Sequence, residues 1–181
     1  MLGQVLNEPV LIYSYICIKL IVMAENLIIS DGNKCEKYSV LYEQIKALTE
    51  GEDDLIANMA NISSMIHQTF GFWWTGFYRV GGEQLVLGPF QGPLACSRIR
   101  FGRGVCGTAW KKAETVIVPD VDKFPGHIAC SGASKSEIVV PVFSKDGSSV
   151  TSVLDIDSEH LDTFDLTDKE WLERIVDLLK Y

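Results

Sequence analysis

The chain is predicted to be α+β: an antiparallel sheet with helices packed on one face and loops forming a pocket on the other. Helix-period apolar stretches open it between residues 36 and 68, and another closes it after Thr167. Between them lie short β-branched and aromatic runs separated by glycine-rich turns, the pattern of an antiparallel sheet. With 181 residues, this is one domain with a sizeable core. No internal repeat or low-complexity segment interrupts it.

The N-terminal segment stands apart. Pro9 to Met23, PVLIYSYICIKLIVM, is apolar but interrupted by Lys19. It falls short of the roughly 20 residues a membrane span needs and has no basic leader. Residues 1–22 are therefore expected to be an extension, disordered or not native, ahead of a domain at 23–181. The alternative is a membrane or partner anchor. Cys17 carries no functional weight on either view.

Residues 36–49 read as a helix with Val40, Leu41, Ile45 and Leu48 on one face, and Cys35 just before it. Gly51 breaks the pattern, and Glu52, Asp53 and Asp54 suit the start of the next helix. That helix runs to about Gln68, with a stripe of Leu55, Met59, Ile62 and Met65/Ile66 that is read as core packing. His67 lies near its end, where a cation is favoured, and is given no catalytic role. Phe72 to Val80 is a strand, Gly81-Gly82 a hairpin turn, and Gln84 to Phe90 the returning strand.

Gln91-Gly92-Pro93 opens a loop leading to Cys96. Gly102 and Gly104 flank a turn before a short helix, Val105 to Lys112, that carries Cys106. Thr115 to Val118 is a brief strand, and the loop from Pro119 to Ile128 delivers Cys130. Ser136 to Phe143 reads as a buried strand, Lys145-Asp146-Gly147 as a turn, and Ser149 to Ile156 as its partner. Thr167 to Glu170 has the form of a capping box, and Trp171, Leu172, Ile175, Val176, Leu178 and Leu179 form the core face of the last helix.

The net charge of −8 argues against nucleic acid, which requires a basic patch. A solvated acidic surface explains it more simply than a cationic partner. The cysteine count of 5 is odd and too small for a disulfide scaffold. It fits thiols in a reducing, cytoplasmic compartment, although each cysteine could equally be a small buried apolar residue. Cys96, Cys106 and Cys130 are too widely spaced for a common zinc module, so no metal is assigned.

Delivered by loops or loop edges, these three cysteines can meet over one sheet face and perform thiol redox chemistry. Cys130 is the best nucleophile candidate. It precedes the small residues Ser131-Gly132-Ala133-Ser134, where a turn with free N–H groups would lower its pKa. His127 could assist, or could simply be an exposed loop histidine. In LDID, Asp155 and Asp157 project to the same side while Leu154 and Ile156 face the core. With Glu137 nearby, the acids would bind an ammonium group. Crowding would raise their pKa values until one serves as a general acid. Solvated strand acids or a cation site remain open at this point.

The segments NISSMIHQTFGFWWTGFY, LGPFQGPLACSRIRFGRGVCGTAW, VPDVDKFPGHIACSGASKSEIVVPVF and VLDIDS resemble the free methionine-(R)-sulfoxide reductases, which are built on a single GAF domain. The similarity covers roughly residues 23–181. The GPFQG, GRGVCG and HIACS contexts of the cysteines make it far more specific than the fold alone.

The resemblance implies thiol-dependent reduction of free methionine (R)-sulfoxide without a cofactor. Cys130 would attack, Cys96 would be the main resolving cysteine and Cys106 a second one. Glu137, Asp155 and Asp157 would bind substrate, with Glu137 or a protonated aspartate as proton donor. Trp74 would pack the substrate methyl, and Tyr78 would line the pocket or pack the core. A thioredoxin-type dithiol would recycle the disulfide. Members tend to be dimeric, so a homodimer is an expectation of the resemblance. A GAF-type sensor of a small molecule, a redox signal or a metal is the competing reading. A sensor normally comes joined to an output domain.

Overall fold

The computed structural model describes residues 26–126 and 132–179. The expected extension at 1–22, and the expectations for His127, Cys130 and Ser131, lie outside them. Helices α1 (Lys34–Thr49) and α2 (Leu55–Phe70) come first, followed by strands β1 (Trp74–Gly81), β2 (Gln84–Gln91) and β3 (Arg98–Arg100). Helix α3 (Gly104–Lys112), strands β4 (Val116–Val118), β5 (Ser136–Phe143) and β6 (Val150–Ser158), and helix α4 (Leu166–Val176) complete the order. The strands form one 6-stranded antiparallel sheet in the order β3-β2-β1-β6-β5-β4.

Helix α2 packs on β1 and β2, α4 packs on β5, and α1 lies against both helices. The stripe of α2 meets the sheet where expected, whereas α1 buries Tyr38, Leu41 and Ile45 and leaves Val40 and Leu48 of its expected face half-buried. Leu41, Ile45, Met59, Ile62 and Ile66 share one core with Phe77, Ile138, Val140, Leu154 and Ile156. The opposite face carries a second, smaller core of Tyr78, Leu85, Ile99, Val105, Ala109, Val139 and Val153. Helix α3 packs there against β5 and β6. The alternation along β1, β5 and β6 thus supplies two apolar surfaces.

The structure corrects several local readings. Cys35 is inside α1, whose capping box is built by Asn33 and Glu36. The β1–β2 turn is Gly82-Glu83, because Gly81 still pairs with Gln84; Gly82 takes the left-handed conformation at φ 68. Three residues expected to be loop, Arg98–Arg100, add an edge strand to β2. They are too few to show periodicity. Another short piece of the expected loop, Val121–Lys123, winds into a 3₁₀ turn. Burial lowers the pKa of His67, opposing the positive charge that the helix end favours.

The capping box of the last helix is also displaced. Asp165 caps α4 through Thr167 and Asp168 N–H, and Asp168 reaches back to the Asp165 N–H. Thr167 therefore sits within the first turn, where a hydroxyl satisfies no orphan donor. Asp168 is fully buried. It accepts from Tyr38 Oη at 2.9 Å and from Lys34 Nζ at 2.6 Å, tying α4 to α1. Asp168→Ala is expected to lower unfolding stability by about 2–4 kcal/mol, because it strands the buried Tyr38 hydroxyl and leaves Lys34 with only Asp165 and the Thr163 carbonyl. Urea unfolding checks this; a loss below about 0.5 kcal/mol, the range of ordinary surface changes, would contradict it.

Candidate active site

Strand β6 lies between β1 and β5, and the pairing register sets the neighbours of its acids. Asp157 pairs with Trp74 on one side and Glu137 on the other; Asp155 pairs with Gly76 and Val139. Side chains two residues apart share a face. Trp74, Asp157 and Glu137 thus form a row across three strands, with Asp155 diagonal to Glu137. Leu154 and Ile156 point the other way, into the main core.

Helix α3 brings sulfur to this row. Gly102 and Gly104 adopt left-handed φ values of 71 and 61, and the Gly102 N–H donates to the Gly107 carbonyl at 3.0 Å. A Cβ on Gly107 would lie 2.5 Å from the Arg100 carbonyl, so this close approach requires glycine. Cys106 is consequently buried, with Sγ donating to Glu137 Oε1 at 3.9 Å. Cys106, Glu137 and Asp155 each offer a ligand-type atom, all within 4.8 Å of one another.

Burial governs the charge state of this cluster. Glu137 and Asp155 are each only 6% exposed. Burial, reinforced by the neighbouring acids, pushes both carboxyl groups well above the usual range. Asp157 rises to about 6 through burial, against a hydrogen bond from Ser134 Oγ that favours its ionised form. The same burial, followed by the charges of Asp155 and Glu137, pushes the Cys106 thiol up. Cys106 is therefore held as a neutral thiol and makes a poor nucleophile.

Trp74 forms the aromatic wall. Its Nε1 donates to the Pro93 carbonyl at 3.1 Å, and its ring stacks on Phe90 and Tyr78. Gly76 leaves the room for this: a Cβ there would collide with Phe90 and with the Trp74 indole. Tyr78 Oη donates to the Cys96 carbonyl at 3.0 Å, joining the wall to the loop after β2.

The resulting cleft encloses about 610 Å³ including its open mouth. Trp74, Tyr78, Cys106, Glu137, Asp155 and Asp157 all line it, as does Ala95 beside Cys96. Cys96 itself is disulfide-bonded, whereas Cys35 and Cys106 are free thiols.

Among the lining residues with polar side-chain groups, sequence reasoning missed Ser134, Trp73 and Arg103. Ser134 stood in the small-residue run after Cys130, but its pairing with Asp157 is a contact between distant segments. The buried Nε1 of Trp73 has no hydrogen-bond partner, and nothing in WW distinguishes that donor from its neighbour. Arg103 reads as one more surface cation until the helix start is placed.

Residues 49–180 match the GAF domain family. The free methionine-R-sulfoxide reductase of Saccharomyces cerevisiae is 45% identical over 158 residues, covering 83% of this chain and 87% of that protein. A solved structure of the free methionine-R-sulfoxide reductase from Neisseria meningitidis, in complex with its substrate, is 50% identical with a TM-score of 0.83. That likeness covers 86% of this chain and 93% of the Neisseria chain. The chain belongs to the free methionine-R-sulfoxide reductase family of GAF domains.

It is accordingly an enzyme of the oxidoreductase class. GAF domain-containing protein A of Dictyostelium discoideum, whose name gives no activity, is 54% identical over 87% of this chain and 99% of its own length. Among the described residues, no helix is long and apolar enough to cross a membrane.

Such a site is electrostatically costly to the fold. The folded pKa of Asp157, about 6, exceeds its ordinary value of 3.8. Between these values the folded chain keeps a proton that the unfolded chain releases. Stability therefore falls as pH rises through that window and stays low above it. Asp157→Asn is expected to stabilise the protein by about 1–3 kcal/mol at pH 8 and to give no such gain near pH 4. Unfolding at both pH values checks this; an equal effect at both would contradict it.

Proposed function

We propose that the chain reduces free methionine (R)-sulfoxide to methionine by thiol chemistry in this cleft. The observation that carries the reading is the row of carboxyl groups beside Trp74, in a family whose Neisseria member was solved with its substrate. The apolar wall suits the S-methyl group of the substrate. The acids suit an ammonium group and can hold the proton that the sulfoxide oxygen requires.

In the proposed sequence, the Cys130 thiolate attacks the sulfoxide sulfur while Glu137 or a protonated aspartate donates a proton to the oxygen. The S–O bond then breaks, the hydroxyl moves to the Cys130 sulfur and methionine leaves. Cys130 is oxidised to a sulfenic acid as the sulfoxide is reduced. The Cys96 thiol displaces water from that sulfenic acid to form a disulfide. A thioredoxin-type dithiol reduces it by exchange and is itself oxidised.

The disulfide already present at Cys96 supports its role as the resolving cysteine. The free, buried and charge-suppressed thiol of Cys106 supports a secondary one. Trp74 and Tyr78 are the proposed walls for the substrate methyl. Residues 1–22 are proposed to be dispensable, the chain is proposed to act in the reducing cytoplasm, and a homodimer is the proposed assembly.

A second reading rests on Cys106, Glu137 and Asp155 as a three-ligand set of the kind a zinc ion uses. In that case the domain would be a sensor without turnover.

Turnover of free methionine (R)-sulfoxide with dithiothreitol separates the two. Cys130→Ser is expected to abolish turnover. Cys96→Ser should retain a single-turnover burst of methionine while losing thioredoxin-driven recycling. Glu137→Gln should slow turnover by about 100-fold or more, the usual contribution of a general acid. No turnover together with stoichiometric bound zinc would establish the sensor reading; full activity in Cys130→Ser would overturn the mechanism.

A further inference from the structure

The stretch after β1 departs from the charge of the rest of the chain. The net charge is −8, yet no Asp or Glu occurs between Glu83 and Glu114. That stretch holds Arg98, Arg100, Arg103, Lys111 and Lys112, all of them exposed. None of these takes part in the ion pairs among the described residues. Solvated surface cations alone do not account for the large apolar side chains among them. Leu94 is 90% exposed and Phe101 50% exposed, and the two flank Cys96 in the chain.

The fold gathers these residues at one edge of the sheet. Strand β3 is the end strand, so the outer side of its backbone has no strand partner among the described residues. Phe101 follows it and meets Trp110 of α3 edge-on, with ring centroids 4.7 Å apart. A Cβ on Gly102 would lie 3.2 Å from Lys111 Cδ, so the Lys111 stem covers the turn between β3 and α3. Arg100, Phe101 and Trp110 line a second, open groove, where Glu83 is the one acid among the described lining residues. The exposed Leu94 and Arg103 line the main cleft next to it.

Cys96 sits at the border of this face, between Leu94 and β3. Its carbonyl is held by Tyr78 Oη at 3.0 Å, and its sulfur is in a disulfide. A protein dithiol that reduces this disulfide brings its own thiolate to one of the two sulfurs, and its surface then covers the residues around Cys96. A transient redox encounter requires only a small contact. Opposite charges around such a contact raise the rate at which it forms.

We infer that the face formed by Leu94, Arg100, Phe101, Arg103 and Lys111 docks the reductant, and that the reductant is an acidic dithiol protein. The inference rests on the proposed recycling step and adds the surface and the charge of its partner. In that step the partner's thiolate attacks one sulfur of the disulfide and forms a mixed disulfide. The other cysteine leaves as a thiolate and takes up a proton. The partner's second thiol then displaces the first cysteine, so this chain regains two thiols and the partner leaves as a disulfide.

The test follows reduction of the oxidised chain itself, with no methionine sulfoxide present, so its result does not depend on the proposed turnover. The two reductants are an acidic thioredoxin and dithiothreitol, which needs no docking face. Arg100→Glu combined with Lys111→Glu should lower the rate constant with thioredoxin by about 10-fold or more. The rate with dithiothreitol should be nearly unchanged. Raising NaCl to about 0.5 M should slow thioredoxin on the wild-type chain and change the double variant little. Phe101→Ser alone should also slow thioredoxin and spare dithiothreitol. Unchanged thioredoxin rates in both variants, or losses equal for the two reductants in both, would overturn the inference.

Trapping the wild-type chain as a mixed disulfide, with a thioredoxin that lacks its second cysteine, reads the same face without a variant of this chain. Amide exchange should slow across residues 98–112 in the trapped complex; protection confined to other segments would refute the inference. Sedimentation covers the other occupant. A wild-type dimer that the two charge reversals dissociate would assign the face to a second copy of this chain and overturn the docking of a reductant.

Discussion

Three carboxyl groups buried together on one sheet face are the constraint around which this domain is built. In water they would ionise and drift apart. Here β5 and β6 fix Glu137 directly opposite Asp157, and the two-residue repeat of β6 adds Asp155 to the same face. Burial and mutual repulsion then favour the protonated forms. Helix α3 closes over them by a glycine-dependent approach to the Arg100 carbonyl. The second core, with Ile99, Val105 and Val139, surrounds the cluster with apolar surface. The main core under α1, α2 and α4 supports the other face of the same strands.

This arrangement separates the roles available to the sulfurs. A thiol among buried acids is held neutral, as Cys106 is. An attacking thiolate needs an environment of the opposite sign, so the acids and the nucleophile should come from different elements. That division matches the proposed chemistry, in which the acids supply protons and Cys130 supplies the electron pair. It also accounts for a fold that gives up stability at neutral pH, since a site poised for a cationic group is strained while that group is absent.

Much of this was legible in the sequence because it depends on local periodicity. The stripe of α2, the Leu41 and Ile45 pair of α1, the strand at 136–143 and the alternation of LDID are short-range signals, and each is found where expected. Trp74, Tyr78, Glu137, Asp155 and Asp157 were all identified as candidates, and they line one cleft. The misses depend on long-range contacts. The edge strand Arg98–Arg100 exists because β2 is there to pair with it. Asp165 and not Thr167 caps α4 because Asp168 is needed for Tyr38 and Lys34 on another helix. Ser134 matters only once register brings it to Asp157. Arg103 gains meaning only when the helix start is seen to open into the cleft.

The central claim is that the buried cluster holds protonated carboxyl groups at neutral pH. Infrared spectroscopy with ¹³C-labelled side-chain carboxyls tests it most directly. At pH 7 the wild-type protein should show a protonated carboxyl band that weakens in Glu137→Gln and in Asp155→Asn. A spectrum at pH 7 with every carboxyl ionised would contradict the account.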